Sequence, residues 1–325
     1  MRAVGILEFG DPEVLEVVNR AIPDPGPGEL RVRVAAAAVN PTDLMLRSGQ
    51  LAQYVAEFGP PYVPGMDVSG TVDAAGADTL FALGDQVMAF VNPFRPQGGA
   101  QAEYVIVSVE DTALVPPGLD PVEAAGLPMN SLTAHQALGL LALPAGSTLA
   151  VTGGAGALGG FVIQLATHRG LRVVAEATTQ DEQLLKQLGA EILVPREVQP
   201  GNGEVADLAD RYRWAVPEGV DAVVDAAVVG EPVLRAIRDG GRIVTCRPGL
   251  LALERGITQH EANVLAHPRK TEALAELAAL AARGTLTVRT ASVLRPEQAG
   301  EAHWRLAGGG VRGRQLITFD EREPH

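Results

Sequence analysis

Residues 147–170 read STLAVTGGAGALGGFVIQLATHRG, and this stretch decides the fold. Leu149, Ala150 and Val151 make a short apolar strand. Gly154, Ala155, Gly156, Ala157, Leu158 and Gly159 follow as G-x-G-x-x-G, and Phe161, Val162, Leu165 and Ala166 then recur at helical spacing. With 37 glycines among 325 residues, the hexapeptide alone carries little weight. Between a strand and a helix it becomes specific. One glycine makes the tight turn, one lets backbone N–H groups approach a pyrophosphate, and one lets the helix pack close on the strand. The helix N-terminus offers unpaired N–H groups and the positive end of its dipole to the anion. The alternative reading is a tight turn with no ligand. The next apolar strand, Arg172–Ala175, ends at Glu176, and 176 − 156 = 20 residues separate it from Gly156. That is about the offset at which an acidic residue grips the adenosine ribose hydroxyls. The pattern predicts a dinucleotide cofactor.

Around this turn, helices alternate with β runs at Leu149–Val151, Val173–Ala175, Ile192–Val194, Ala222–Val224 and Arg242–Thr245. Such alternation predicts right-handed βαβ units and a mostly parallel sheet. Residues 1–120 read instead as strands among turns, at Leu30–Ala36, Val68–Ala74, Asp85–Val91 and Ala102–Val107. Pro and Gly clusters separate them, and PDPGPGEL at 23–30 reads as a turn before the first. Residues 268–283, PRKTEALAELAALAAR, predict an amphipathic helix that stops at Gly284. Residues 285–319 return to strand–helix–strand and are expected to fold back onto the N-terminal β region. The expected class is α/β: a β domain over 1–120, a doubly wound domain over 121–266, and a return to the first over 267–325.

Composition narrows the function. Apolar residues make up 46% of the chain, as in a globular protein. A net charge of −13 argues against nucleic acid and anionic membranes as partners and suits a cytoplasmic enzyme. Bound phosphates must then rely on local N–H groups and a few Arg or Lys side chains. Cys246 is the single cysteine, which excludes an intramolecular disulfide and a Cys-cluster zinc site. It ends the apolar run RIVTC, where a buried structural thiol is expected. MRAVGILEFG lacks the apolar core of a signal peptide, and no apolar run reaches the about 18 residues needed to span a bilayer. Histidines stand at 135, 168, 260, 267, 303 and 325, none with metal-ligand spacing.

The order of motifs resembles the medium-chain dehydrogenase/reductase superfamily, and within it the zinc-independent quinone oxidoreductase branch of zeta-crystallin. The matching segments are VNPTDLMLRSG at 39–49, PGMDVSGTV at 64–72, GDQVMAF at 84–90 and GGAQAEYV at 98–105. AAGLPMNSLTAHQAL at 124–138, VDAVVDAA at 220–227, GGRIVTC at 240–246 and AHWRLAGGGVRGRQLITF at 302–319 complete the series. The resemblance implies a GroES-like β domain, a Rossmann doubly wound sheet and an active-site cleft between them. Zinc-dependent relatives carry Cys at the position of Asn40 and His near Gly65–Met66, and they also have a four-cysteine lobe that this chain lacks. No metal is therefore expected.

Without a Lewis acid to stabilise an alkoxide, hydride delivery to a quinone or α,β-unsaturated carbonyl is the expected chemistry, with NAD(P)H as donor. Asn40 is a candidate to donate to the substrate's oxygen; it also stands where a helix N-cap is expected before PTD. Asp43 reads as orienting that segment. Relatives place Tyr after R-x-G; Leu51 holds that place here, and Tyr54 is the nearest tyrosine. The resemblance puts Thr133 near the nicotinamide ribose, with Met129 and Asn130 lining the same wall. Arg95 reads as a solvated loop residue or a contact to substrate or cofactor phosphate. NADPH-dependent relatives hold the 2′-phosphate with a Lys where Asp181 stands and an aromatic residue where Pro195 stands, although Arg196 is retained. Glu176 and Asp181 thus favour NADH, while Thr178, Thr179 and Arg196 could still hold a phosphate. Relatives pair as homodimers through sheet edges, and Ile257–Leu265 is the candidate edge here. Two other functions fit the sequence: an enoyl-thioester reductase of a lipid or polyketide pathway, and a dinucleotide-binding redox sensor of low activity.

Overall fold

The computed structural model describes residues 1–196, 207–266 and 270–319. His267, His325 and the first two residues of the helix expected over 268–283 lie outside the described residues. The chain divides into two units, Met1–Met129 with His267–His325, and Asn130–Ala266.

The first unit is built mainly on antiparallel strands. β1 (Arg2–Ile6) and β2 (Leu15–Asn19) pair as a small sheet. β3 (Glu29–Ala38) is followed by α1 (Pro41–Arg47), β4 (Asp67–Ala75), β5 (Gln86–Phe90), β6 (Tyr104–Ser108), β7 (Thr112–Leu114) and the short α2 (Pro121–Ala124). Alternation in β3 buries Leu30, Val32 and Val34 on one face, against Val68, Val72, Val87, Val105 and Val107.

The second unit takes its topology from the strand–helix alternation. α3 (Pro128–Leu141), which starts in the first unit, precedes β8 (Thr148–Thr152) and α4 (Ala157–His168). Then come β9 (Arg172–Ala177), α5 (Glu182–Leu188), β10 (Ile192–Pro195), α6 (Leu208–Ala215), β11 (Val220–Asp225), β12 (Ile237–Thr245) and β13 (Thr258–Glu261). The six strands lie in the order β10-β9-β8-β11-β12-β13, and every neighbouring pair is parallel. In chain order this is 3-2-1-4-5-6, the doubly wound dinucleotide arrangement. All five residues of β8 are buried, as a strand covered on both faces requires.

The chain then completes the first unit with α7 (Thr271–Ala282), β14 (Thr290–Leu294), α8 (Ala299–Ala307) and β15 (Arg314–Ile317). The seven-stranded sheet runs β14-β15-β3-β4-β5-β7, with β6 also on β3. β15 pairs antiparallel with the end of β3, Leu316 opposite Ala38 and Ile317 opposite Ala37. Lys270 anchors the start of α7: it is buried, donates to Asp111 at 2.9 Å and lies 4.9 Å from the Phe90 ring centroid.

His303 on α8 is fully buried, and neither ring nitrogen finds a partner among the described residues. Burial, and then the nearby Arg47 charge, lower its pKa to about 3. The ring stays neutral in the fold, while the unfolded chain takes up a proton below about pH 6.5. Stability is therefore lost as pH falls from there towards 3. Between about pH 7.5 and 4.5 the wild type should lose about 2–3 kcal/mol through this residue. His303→Leu should not show that part of the loss. Urea unfolding of both proteins at the two pH values checks it, an equal loss in each being the contrary result.

Candidate functional site

β8 ends at Thr152, and Gly153 turns the chain with φ of +62°, a conformation open to glycine without strain. The hexapeptide spacing places the tight turn within Gly154–Gly159; the left-handed residue is Gly153, one position earlier. Close packing explains two other glycines. A Cβ on Gly154 would meet Ile163 at 2.8 Å, and one on Gly159 would meet the Gly153 carbonyl oxygen at 2.3 Å. At Gly156 a Cβ would have only that carbonyl oxygen nearby, at 3.2 Å. Gly156 is the N-cap of α4 and supplies no side-chain cap. The first N–H groups of α4, at Ala157, Leu158 and Gly159, thus start the helix without intrahelical acceptors. Ala155 lies in the turn itself. The backbone around Gly156 is open to close approach, and the helix end favours an anion, so the turn fits a pyrophosphate. Across the sheet, Thr152 Oγ1 donates to Asp225 Oδ1 at 2.6 Å, and the Asp225 carboxylate accepts from Val229 and Gly230 N–H. That fixes the loop after β11 beside the turn.

The ends of the next two strands carry charge. Val194 of β10 is in register with Glu176 of β9, and Arg196 follows with its N–H on the Ala177 carbonyl at 2.8 Å. The sequence reading omits Arg211, which reaches this rim from α6. Its Nη2 donates to Glu176 Oε1 at 2.8 Å and its Nη1 to the Arg196 carbonyl at 2.6 Å. Burial raises the Glu176 pKa, while Arg211 and then Arg196 hold it down. Thr178 Oγ1 donates to Asp181 Oδ2 at 2.7 Å. Asp181 is buried at the N-cap of α5, so a lysine there would enter the interior and leave Thr178 without this acceptor. Glu176, Thr178 and Arg196 are thus brought together with the glycine turn. Thr133 lies apart from them in sequence, buried on α3.

In the first unit a closed polar net surrounds Asn40. Asn40 stands at the N-cap of α1, but its side chain faces inward: Nδ2 donates to Asp67 Oδ2 at 2.8 Å, and Oδ1 accepts from Arg314 Nη2 at 3.1 Å. Arg314 also forms an ion pair with Asp67, and Asp67 accepts from the Met129 N–H at the start of α3. Asp43 orients its segment by accepting from the N–H groups of Asn40 at 2.7 Å and Gly65 at 2.8 Å. Asn40, Asp43, Asp67 and Arg314 are all at most 3% exposed. Burial pushes Asp43 up to about 7 against these N–H bonds, and raises Asp67 against the pull of Arg314. Asp67 sits in the quoted P-G-x-D run and Arg314 in VRGRQ, so both stood in recognisable segments. Nothing in the sequence linked one to the other.

Two further candidates fall elsewhere in this unit. Tyr54 is 55% exposed, its ring tilted against Phe94 at 5.3 Å. Arg95 is partly buried. It donates to the carbonyls of Gly98 and Ile106 and ties its loop to β6. Cys246 is mostly buried, and burial pushes its thiol up to about 12, as suits a structural cysteine. No described helix is long and apolar enough to cross a membrane.

A family model for an alcohol dehydrogenase GroES-like domain matches residues 26–117, and one for a zinc-binding dehydrogenase matches residues 200–317. Over 253 residues the chain is 33% identical to the NADPH-dependent alkenal/one oxidoreductase, chloroplastic, of Arabidopsis thaliana, covering 75% of this chain and 62% of that one. Over 252 residues it is 32% identical to the quinone oxidoreductase of Homo sapiens, covering 75% and 72%. The structure of the quinone oxidoreductase from Coxiella burnetii matches with a TM-score of 0.83 and 28% identity, over 98% of this chain and 99% of that one. The chain spans about three-fifths of the length of the plant reductases it matches. With these likenesses and the two architectures above, the chain belongs to the quinone oxidoreductase branch of the medium-chain dehydrogenase/reductase superfamily.

Proposed function

We propose that this protein is an NAD(P)H-dependent oxidoreductase that transfers hydride to a quinone or an α,β-unsaturated carbonyl. The observation that carries the reading is the Gly153–Gly159 turn at the end of β8, with Glu176 at the end of β9. When bound, the reduced nicotinamide supplies the hydride. The chain's own part begins at the first turn of α4, whose N–H groups at Ala157, Leu158 and Gly159 would hold the pyrophosphate, with Gly156 leaving the approach open. Glu176 takes the adenosine ribose through Oε2, which bonds to no described residue. Thr133 serves the nicotinamide ribose. The exposed Tyr54 is the proposed donor to the substrate oxygen; Asn40, the other candidate, is buried with its side chain held by Asp67 and Arg314, and its part is to position that net. The names of the plant and human relatives support the substrate class.

The finer parts of the proposal are a zinc-independent reaction, a slight preference for NADH, a homodimer and a cytoplasmic setting. Segments 1–120 and 267–325 would form the catalytic domain and 121–266 the nucleotide domain. Zinc independence is supported by Asn40 and Met66 in place of ligands, and by Arg314, whose cation already neutralises Asp67. The NADH preference rests on the Glu176 carboxylate. The homodimer rests on β13, the edge strand within Ile257–Leu265, with exposed Leu250 and Leu253 nearby in sequence.

Oxidation of NADH and NADPH with a small panel of quinones and enones tests the main reading. No turnover above background with any acceptor is the contrary result. In the same assay Glu176→Ala should lower kcat/KM for NADH and raise it for NADPH, each by about threefold to tenfold, as loss of one charged hydrogen-bond acceptor allows. Metal analysis of the purified chain should find no stoichiometric zinc, and activity should survive chelator. One tightly held zinc whose removal abolishes turnover would contradict the metal-free mechanism. Light scattering at micromolar concentration should give twice the chain mass, and a monomer would refute the edge-strand pairing.

A further inference from the structure

At the carboxyl ends of β9 and β10 the chain places one carboxylate beside two guanidiniums. The Glu176–Arg211 pair is 2.8 Å long, with the side chains 13% and 12% exposed. Arg211 is held there by its neighbour in sequence. Tyr212 is fully buried, and its hydroxyl donates to the Val151 carbonyl at the end of β8 at 3.3 Å. One face of α6 is thereby pinned against the sheet, and Arg211 reaches the rim from it. The Arg196 carbonyl receives the second arm of the fork. Arg211 Nε is buried and has no acceptor among the described residues, a state that is unfavourable until a partner is found.

A bare carboxylate would repel a dianionic 2′-phosphate. Glu176 is not bare. Arg211 neutralises it, and Arg196 adds a further positive charge within electrostatic reach. Guanidinium carries five donors in a planar fork and can serve a carboxylate and a phosphate together.

We propose that Arg211 is the specificity-determining residue for the adenosine end of the cofactor, cancelling the charge of Glu176 and donating to a 2′-phosphate when one is present. One rim then admits both cofactors: a 2′-hydroxyl is taken by Glu176 Oε2, a 2′-phosphate by Arg211. This rests on the dinucleotide reading above, and deepens it with a residue that no motif marked.

The test is binding, independent of turnover. NADH and NADPH affinities are measured by cofactor fluorescence on the full chain. Thermal shifts are measured with adenosine 2′,5′-bisphosphate and 5′-AMP. For Arg211→Met, NADPH binding should weaken by at least about tenfold while NADH binding stays within about threefold, as loss of a charge-assisted phosphate contact implies. The extra thermal shift given by the bisphosphate should vanish. Arg211→Lys, which keeps the charge but not the fork, guards against a variant that fails to fold. It should move the same ratio in the same direction by about threefold. Equal weakening of both cofactors in either variant, or a ratio unchanged within about twofold, overturns the proposal and leaves a purely structural arginine. Wild-type protein that binds NADH but neither NADPH nor the bisphosphate also overturns it, with the reductase reading intact. The expected ratio change in a protein that reduces no quinone or enone supports Arg211 and removes the substrate reading instead. Wild type that binds neither cofactor overturns both.

Discussion

The ion pair of Asp67 and Arg314 is the contact on which the first unit depends. Both side chains are buried, and a charge in that setting needs a partner of opposite sign and hydrogen bonds for its remaining atoms. Asp67 has both: the Arg314 guanidinium, the Asn40 amide and the Met129 N–H. Each contact comes from a different part of the chain. Asp67 opens β4, Asn40 precedes α1, Arg314 opens β15 and Met129 is the second residue of α3. Removing one member of a buried pair costs roughly 3–5 kcal/mol, because the other charge stays behind unpaired. The net therefore sets the register at which the C-terminal strand meets the N-terminal sheet. It also fixes the inward orientation of Asn40 and explains why a residue at a helix N-cap leaves the capping to Asp43.

The second unit follows a different economy of charge. Its core strands are apolar, and its polar groups gather where the parallel strands end. Thr152 and Asp225 bond each other across adjacent strands, and Glu176 meets Arg211 one strand further on. Parallel strands put all their carboxyl ends on one edge, so residues distant in sequence converge there. The glycine turn belongs to the same edge. Its backbone bends at Gly153 because a left-handed residue is needed, and helix α4 starts close beneath because Gly159 has no Cβ to collide with Gly153. An anion site built this way uses N–H groups and a helix dipole and needs no excess of cationic side chains, which suits a chain of net charge −13.

Asp43 and His303 show how burial acts with opposite sense on acids and bases. The carboxyl of Asp43 is pushed up and the imidazole of His303 down, each towards its neutral form. Neither group is placed to exchange protons with solvent. Asp43 accepts two backbone N–H bonds, and His303 is fully buried with both ring nitrogens unpaired among the described residues. Their titrations bear on stability rather than on hydride transfer.

Much of this protein could be read along the chain. The alternation of apolar strands and helices, the glycine run and the 20-residue offset to Glu176 determined the doubly wound sheet and the glycine turn and carboxylate at its edge, because each is a local pattern with a fixed period or spacing. The β runs in the first unit were legible for the same reason, since period-two burial writes itself into the sequence. Only the tertiary structure decided what the charges do. Glu176 read as a bare carboxylate until α6 brought Arg211 to it across 35 residues. Asn40 read as a free amide or a cap until Asp67 and Arg314 enclosed it, the latter from 274 residues away. Arg95 read as a loop residue until its guanidinium met two carbonyls. A side chain's partner is set by how strands and helices pack and not by its sequence neighbours, so local pattern determined the framework here and long-range packing determined its electrostatics.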